Sequence, residues 1–333
     1  MEKRSSSGDI IRGFAILCMI IGHSVIQHPI NLFEVLWCSN LHALTADVLY
    51  NMPLFFFLSG YYYHCEEYGP YIQKKFMRVF LPYLIWAAVN DLIYVYGGTI
   101  VHETISLKEG IIAYLTGGHL WFLYVLFIVF LIYPLIEKVT YGSALLCIGC
   151  VLFSTVFGTP KGQLGNFISY LPYFITGHFC LKYSILKKER LSDVVSSHRV
   201  ILLTASVCFA AIIRLLYKLS GLYFLKFAGA FPVFLSLYII ASSPLFQNSS
   251  FVADAFISMG RYSLQIYLLN FYIIPVMKIL VCRLLGISDP FIIIVSFTLV
   301  CIIPVIWACR FIIEKSKILR IAFGIPVNGK SIQ

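Results

Sequence analysis

Apolar runs of about 17 to 24 residues recur along the whole chain, and each is long enough to cross a bilayer as a helix. Backbone polar groups in lipid must be satisfied within the protein, so a run of this length folds as an α-helix. Of the 333 residues, 60% are hydrophobic and only 12% are charged, whereas a soluble domain has roughly 25% charged residues. The sequence therefore predicts an all-α, polytopic membrane helix bundle in contact with the lipid bilayer. It predicts one integral membrane domain over 1–333, with its core at about 9–324.

Proline, glycine and clusters of charge divide the chain into about ten predicted transmembrane helices. They run approximately over 9–28, 42–63, 79–97, 118–136, 142–158, 166–183, 199–217, 228–245, 262–284 and 290–313. An even number of spans places both termini on the same side, together with the loops 64–78, 137–141, 184–198 and 246–261. Lys and Arg concentrate on that side, so both termini are predicted to be cytoplasmic. Gly229 and Pro232 interrupt the eighth span, where a broken or re-entrant element is an alternative.

Two common interpretations of basic and cysteine-rich chains do not fit this sequence. The net charge of +10 comes from basic residues at the ends of spans, which membrane topology explains better than a nucleic-acid surface does. The ten cysteines are scattered through apolar spans, and the C-x-x-C of Cys147 and Cys150 has no partner ligands. We therefore predict no nucleic-acid partner, no metal site and no permanently bound cofactor.

Arg12 and His23 are two ionisable residues eleven positions apart in the first predicted span. At about 100° per residue this spacing is roughly three turns, so both side chains share one helix face about 16 Å apart along the axis. Ionisable groups inside a bilayer are costly and are often functional. A neutral imidazole accepts a proton from a hydroxyl, which makes His23 a candidate general base. A guanidinium suits a phosphate or carboxylate. A histidine satisfied by a neighbouring helix and a snorkelling arginine are the structural alternatives.

Polar and small residues near the ends of the first three spans extend this candidate set. Asp9, one turn before Arg12, either holds the guanidinium in place or stabilises the N-terminus of the helix. Ser59 and Gly60 end the second span, where they either allow close helix approach or contact a ligand. Arg78 precedes the third span, and its guanidinium is suited to a polyphosphate at the membrane surface.

Three further residues are candidates for contact with a ligand. Trp121 and Tyr124 open the fourth span on the outer side, where aromatic residues commonly mark the membrane interface. They also offer a stacking surface for a sugar ring. Asn270 belongs to the polar residues within the spans, which either hold helices together or face a ligand.

Several of these motifs, in order along the chain, resemble the acyltransferase 3 family of integral membrane O-acyltransferases. The resemblance rests on Asp9-x-x-Arg12-Gly13 with Gly22-His23, Phe55-Phe-Phe-Leu-Ser-Gly60, the basic residues ending in Arg78 before Pro82, Leu120-Trp-Phe-Leu123, Gly260-Arg-Tyr-Ser263 with Ile266-Tyr-Leu268, and the tail from Glu314 to Gly324. Relatives often carry a histidine where this chain has Asn270. This departure leaves His23 as the single candidate base within the spans.

The resemblance implies transfer of an acyl group, commonly acetyl, from cytoplasmic acyl-CoA to a hydroxyl of an envelope carbohydrate or glycolipid. The expected enzyme is a multi-pass O-acetyltransferase of the cytoplasmic (inner) membrane, with acetyl-CoA as co-substrate. The resemblance and the residue chemistry together assign catalysis to Arg12 and His23, acyl-CoA binding to Arg78, Ser59 and Gly60, and support or acceptor binding to Asp9, Trp121, Tyr124 and Asn270.

Two other functions are compatible with the sequence. A proton-coupled transporter or flippase would use Arg12 and His23 in proton coupling. Such proteins frequently contain internal repeats with broken spans, and the chain has no second copy of the Arg–His helix. A non-catalytic relative acting as a sensor or assembly partner is favoured by Asn270 but opposed by the intact Arg12 and His23.

Overall fold

The computed structural model describes residues 6–26, 32, 34–96, 108–110, 112, 117–183, 188–247 and 251–326. Of the described residues, 86% are helical and none lies in a strand, which confirms the all-α prediction. Helices α1 to α5 are Ser6–Ile26, Leu36–Ala43, Asn51–Tyr61, Tyr68–Lys75 and Leu81–Tyr96. Helices α6 to α10 are Trp121–Glu137, Gly142–Val156, Gly162–Lys182, Lys188–Ser220 and Tyr223–Ala241. Helices α11 to α15 are Pro244–Gln247, Phe251–Arg261, Ser263–Lys278, Pro290–Phe311 and Lys317–Ala322.

Short irregular turns connect or extend several of these helices. Three π-helical turns occur in the described residues, at Leu44–Val48, Phe76–Phe80 and Ile279–Leu284. Two 3₁₀ turns occur at Gly118–Leu120 and Ile313–Lys315. The long helix α9 is kinked at His198, whose backbone angles are not helical.

Eight helical stretches of the described chain are long and apolar enough to cross a membrane, so the prediction of a multi-pass membrane protein is confirmed. The other two predicted spans also form helices, but 142–158 becomes the shorter apolar helix α7 and 166–183 the less apolar α8. The second and third stretches, Leu36–Tyr61 and Tyr68–Ile93, begin well before the predicted 42 and 79. Most of the predicted loop 64–78 is therefore helical.

The structure excludes one alternative and corrects further predicted loops, among them 184–198, which is helical from Lys188 onward. Helix α10 runs without a break through Gly229 and Pro232, because a transmembrane helix tolerates proline where surrounding groups satisfy the freed backbone. Gly229 serves packing instead, since a β-carbon there would lie 2.9 Å from the Tyr50 hydroxyl oxygen. Most of the predicted loop 246–261 forms helix α12, which packs against α1.

The helices group into two compact units. Unit 1 comprises Met1–Tyr63, Leu146–Thr159 and Ile168–Ile306, and unit 2 comprises His64–Leu145, Pro160–Phe167 and Trp307–Gln333. Each unit is assembled from three separate stretches of the chain. The prediction of one domain over the whole chain stays a prediction.

Helix α1 is a core helix of unit 1. It packs against α2, α3, α10, α12 and α13, and 67% of its most apolar window is buried, compared with 11% for the stretch Ser197–Ser220. Glycines allow the closest of these contacts. A β-carbon on Gly13 would lie 2.2 Å from the Phe256 carbonyl oxygen, and one on Gly260 would lie 1.8 Å from the Asp9 carbonyl oxygen. Only hydrogen fits at either position.

Helices α3 and α8 cross at a reciprocal glycine contact in unit 1. A β-carbon on Gly60 would lie 1.9 Å from the Phe174 carbonyl oxygen, and one on Gly177 would lie 2.0 Å from the Phe57 carbonyl oxygen. Each glycine therefore faces the residue three positions before the other glycine. Small residues of this kind let membrane helices approach closely in the absence of a hydrophobic driving force.

In unit 2, aromatic residues join α4, α5 and α6 around the turn Phe76–Phe80. Phe80 stacks on Phe127 with ring centroids 4.4 Å apart. The Tyr68 hydroxyl donates a hydrogen bond to the Leu131 carbonyl, 3.1 Å away. The Trp86 indole N–H donates to the Ala322 carbonyl at 3.0 Å and so ties α15 to α5. These contacts fix the π-helical turn that carries Arg78.

Candidate active site

The N-terminal end of α1 carries a closed cluster of charges, which we call the Asp9 cluster (Asp9, Arg12, Arg261). Arg12 Nη1 lies 3.0 Å from Asp9 Oδ1, and Arg261 Nε lies 3.9 Å from Asp9 Oδ2. The Asp9 side chain is only 3% exposed. The Arg12 guanidinium also lies over the Tyr62 ring, 4.7 Å from its centroid, where the ring face attracts a cation. The ion pair that one interpretation assigned to Asp9 is therefore present, and it orients Arg12.

His23 lies near the other end of the same helix, three residues before Ile26, and is partly buried. Its neighbour Gly22 contacts α2, since the Gly22 carbonyl oxygen lies 3.1 Å from His42 Nδ1. A β-carbon on Gly22 would lie 3.1 Å from Thr45 Oγ1 and 3.5 Å from His42 Nδ1. His42 therefore lies against the backbone of the residue that precedes His23.

His42 is the residue that the sequence reasoning missed. It lies within the helical stretch Leu36–Tyr61, so the expectation that His23 is the single candidate base within the spans does not hold. The only signal for His42 in the sequence was its position as the first residue of a predicted span.

The described residues contain no group of three or more His, Cys, Asp or Glu side chains placed to hold a metal ion.

Arg78 lies in unit 2, within the π-helical turn Phe76–Phe80, and its side chain is exposed. Turns of this type occur frequently at functional sites, because the extra residue changes the direction of the side chains. One turn earlier, the Lys75 ammonium lies 3.9 Å from the centroid of the Phe130 ring. Lys75 is therefore held by an aromatic surface, while Arg78 is accessible to a ligand.

Ser59 and Gly60 lie in the part of α3 that contacts α8. The Ser59 hydroxyl donates to the Phe55 carbonyl of its own helix at 2.7 Å, and the open side of Gly60 is filled by the α8 backbone. Of the two interpretations of this pair, close helix approach is the one that the structure shows for Gly60. Contact of either residue with acyl-CoA stays a prediction.

Trp121 and Tyr124 lie at the start of α6 in unit 2, close to Gly117. A β-carbon on Gly117 would lie 3.2 Å from Trp121 Cα and 3.2 Å from Tyr124 Cβ, with Gln163 Nε2 at 3.1 Å. Both aromatic side chains are half-buried, and the Tyr124 ring centroid is 5.7 Å from that of Tyr83. The Gln163 amide thus lies near the first turn of α6, where Trp121 and Tyr124 begin the helix.

Asn270 lies in α13 of unit 1 and is 2% exposed. Its amide Nδ2 donates to the Tyr267 carbonyl one turn earlier. Its Oδ1 is buried and has no hydrogen-bond partner among the described residues, although a buried acceptor is costly to leave unpaired. Its helix packs against α1.

A multi-pass helical protein with ionisable side chains at both ends of a core helix has the features of a membrane enzyme. A family model described as an acyltransferase domain, acyltransferase 3, matches residues 7–310. The chain belongs to this family and is a membrane acyltransferase. The match covers Arg12, His23 and Arg78 and ends before the tail 314–324, which the motifs also assigned to the family. Comparison with curated proteins and with solved structures found no match.

Proposed function

We propose that this acyltransferase moves an acetyl group from cytoplasmic acetyl-CoA to a hydroxyl of an envelope polysaccharide, oligosaccharide or lipid-linked sugar precursor. The observation that supports the proposal is the arrangement of α1, which carries a cation at one end and, at the other, a histidine whose preceding residue contacts a second histidine. An acyl-CoA has phosphates that need cations, and its thioester must meet a hydroxyl next to a base. The predicted location is the cytoplasmic (inner) membrane.

In the proposed reaction, His23 acts as the general base. The neutral imidazole takes the proton of the acceptor hydroxyl as the hydroxyl oxygen attacks the thioester carbonyl. The tetrahedral intermediate then collapses, the C–S bond breaks, and the coenzyme A thiolate takes up a proton from the imidazolium. The products are an ester and free coenzyme A. An Nδ1–H of His42 donated to the Gly22 carbonyl would hold this end of α1 in place, which makes His42 a positioning residue.

The donor is proposed to bind through its phosphates at cytoplasmic cations. Arg78 is exposed, and a guanidinium binds phosphate oxygens through paired hydrogen bonds. Arg12 stands about 16 Å from His23 along α1, a separation that the long pantetheine arm can cover. Asp9 would keep Arg12 oriented toward this path.

Substitution of His23 tests the proposal directly. We expect His23→Ala to lower acetyl transfer about 100-fold or more, since it removes the general base, without changing elution or thermal stability. His64→Ala is the matched control, because His64 is 78% exposed and pairs with Glu66. The readouts are radiolabel transfer from acetyl-CoA in membranes and the mass of the envelope glycan. Undiminished acetylation by the His23 variant would refute the assignment.

The alternative function, a proton-coupled transporter or flippase, loses one supporting observation. The hint of a broken span lay at Gly229 and Pro232, and α10 is continuous there. Purified protein that fails to bind acyl-CoA but moves an envelope precursor across liposome membranes would favour the transporter over the acyltransferase mechanism.

A further inference from the structure

Unit 1 contains another group of charges, which we call the Asp47 cluster (Asp47, Arg214, Lys226). Arg214 Nη2 lies 3.9 Å from Asp47 Oδ2, and Lys226 Nζ lies 3.9 Å from Asp47 Oδ1. The three residues come from the turn Leu44–Val48, from α9 and from α10. Two cations thus face one carboxylate, and the cluster has a net positive charge.

The ion pairs of this cluster are open. Charge-assisted hydrogen bonds measure about 2.7–2.9 Å between heavy atoms, so neither cation is within hydrogen-bonding distance of Asp47. Arg214 Nε is buried and has no hydrogen-bond partner among the described residues. The Arg214 side chain is only 18% exposed, and a buried guanidinium donor without an acceptor is costly. An anionic ligand would supply the missing acceptor.

Two tyrosines lie in or next to the elements that carry this cluster. The Arg214 guanidinium lies over the Tyr217 ring, 5.4 Å from its centroid. Tyr50 lies just before α3 with φ of 50°, a left-handed conformation that is uncommon for a non-glycine residue. Such strain is found where a side chain has to be held in one direction. Here it holds the Tyr50 hydroxyl against Gly229 of α10, three residues after Lys226.

The Asp47 cluster lies at the end of unit 1 that carries His23. Thr45, two residues before Asp47, contacts Gly22 beside His23. Helix α1 packs against both the turn Leu44–Val48 and α10. Arg214 and Lys226 also lie close to the turn between α9 and α10, at Gly221. With cytoplasmic termini, as predicted, this end faces away from the cytoplasm.

We propose that Arg214 and Lys226 bind a negatively charged group of the sugar acceptor, either a phosphate or a carboxylate, and that Asp47 is their weak partner in its absence. Paired cations in a partly buried setting bind a multi-oxygen anion more strongly than one half-exposed carboxylate can hold them. Tyr217, which is half-buried beside Arg214, offers the attached sugar a hydroxyl group. The identity of the bound sugar as the acceptor rests on the proposed acyl transfer, whereas the existence of the anion-binding site does not.

Binding to the full-length protein tests this site without any transfer reaction. The protein is placed in phosphatidylcholine nanodiscs and titrated with glucose 1-phosphate, glucuronate and glucose. We expect the two anionic sugars to bind and glucose to bind at least about tenfold more weakly. The two anionic probes distinguish a phosphate from a carboxylate. Equal binding of glucose and both anions would overturn the proposal.

Three substitutions and a control separate ligand binding from structural pairing. Arg214→Gln and Lys226→Gln should each weaken anion binding about tenfold or more. Lys218 is an exposed cation on α9, the helix of Arg214, and Lys218→Gln should leave anion binding unchanged. Asp47→Asn should retain or strengthen binding, since it removes the competing carboxylate. A purely structural cluster would instead make Asp47→Asn as damaging as Arg214→Gln, and that result would refute the site.

If Arg214→Gln does not fold, Lys226→Gln still tests the proposal, because the Lys226 side chain is 34% exposed and its replacement disturbs packing less than that of Arg214. Wild-type anion affinity in folded Lys226→Gln would count against the proposal. Failure of the acyl-transfer hypothesis is seen separately, in the His23→Ala transfer assay. Anion binding by a protein without transferase activity would leave the site intact and redefine its use.

Discussion

The Asp9 and Asp47 clusters have the same composition, one carboxylate and two cations, but differ in burial and in their closest pair. Asp9 is 3% exposed and has Arg12 at 3.0 Å and Arg261 at 3.9 Å, whereas Asp47 is 48% exposed and has both cations at 3.9 Å. A buried carboxylate must be paired closely to compensate for its lost hydration, and a half-exposed one keeps part of its water. Burial, rather than the number of charges, therefore separates a cluster that positions its arginine from one that can exchange its partner.

Helix α12 accounts for much of the burial of Asp9. Gly260 brings the α12 backbone against the Asp9 carbonyl, and the next residue contributes Arg261. Asp47 is covered less, and its two ion-pair partners are the long side chains of Arg214 and Lys226. The comparison can be tested by removing each feature in turn.

The largest expected effect is that of Asp9→Asn. The substitution leaves Arg12 and Arg261 beside a neutral amide in a buried setting, and removal of one partner from a buried ion pair costs about 3–5 kcal/mol. Thermal unfolding of the purified protein, followed by size-exclusion chromatography, measures the loss. A variant as stable as the wild type would show that the Asp9 cluster is not closed.

Gly260→Ala should have the next largest effect. The new β-carbon would meet the Asp9 carbonyl oxygen at 1.8 Å, so α12 must move away from α1, and overpacking of this kind costs about 1–3 kcal/mol. Gly149→Ala is the matched control, because nothing lies within 4 Å of a β-carbon there. Similar unfolding temperatures for the two variants would contradict the observed helix contact.

Tyr62→Leu should lower stability by a smaller amount. It removes the ring face under the Arg12 guanidinium, and a cation–π contact contributes about 0.5–2 kcal/mol. Tyr62→Phe keeps a ring and should retain most of this stability. Thermal unfolding of the pair separates the contribution of the ring from that of the hydroxyl, and a Phe variant as unstable as the Leu variant would assign the effect to the hydroxyl.

The smallest expected effect on stability is that of Asp47→Asn. Half-exposed ion pairs contribute about 0–1 kcal/mol after screening, so the unfolding temperature should change little at physiological salt. A loss as large as that of Asp9→Asn would place both clusters in the same class. That outcome would remove the distinction on which the anion site depends.

The sequence was sufficient to predict features that repeat along the chain or lie within one helix. Apolar run lengths predicted the all-α membrane fold, and an eleven-residue spacing placed Arg12 and His23 on one helix that proved to be a core helix. The contact of His42 with Gly22 joins different helices, and that of Arg214 with Asp47 joins residues 167 positions apart (214 minus 47). The hydrophobic periodicity of a sequence carries no information on contacts of this kind. The role of Gly229 in the eighth span could not be predicted for the same reason, since its packing partner is Tyr50, far away in the sequence.

The contact between α1 and α12 also has a consequence for the order of biosynthesis. Asp9 and Arg261 are 252 residues apart (261 minus 9), which corresponds to roughly 13 to 50 s of translation at 5–20 residues per second. During that interval α1 is in place but lacks the helix that crosses it at Asp9. The ribosome must therefore complete more than three quarters of the chain before the first helix can pack against α12, and a chain that stops before residue 251 leaves this face of the first helix uncovered.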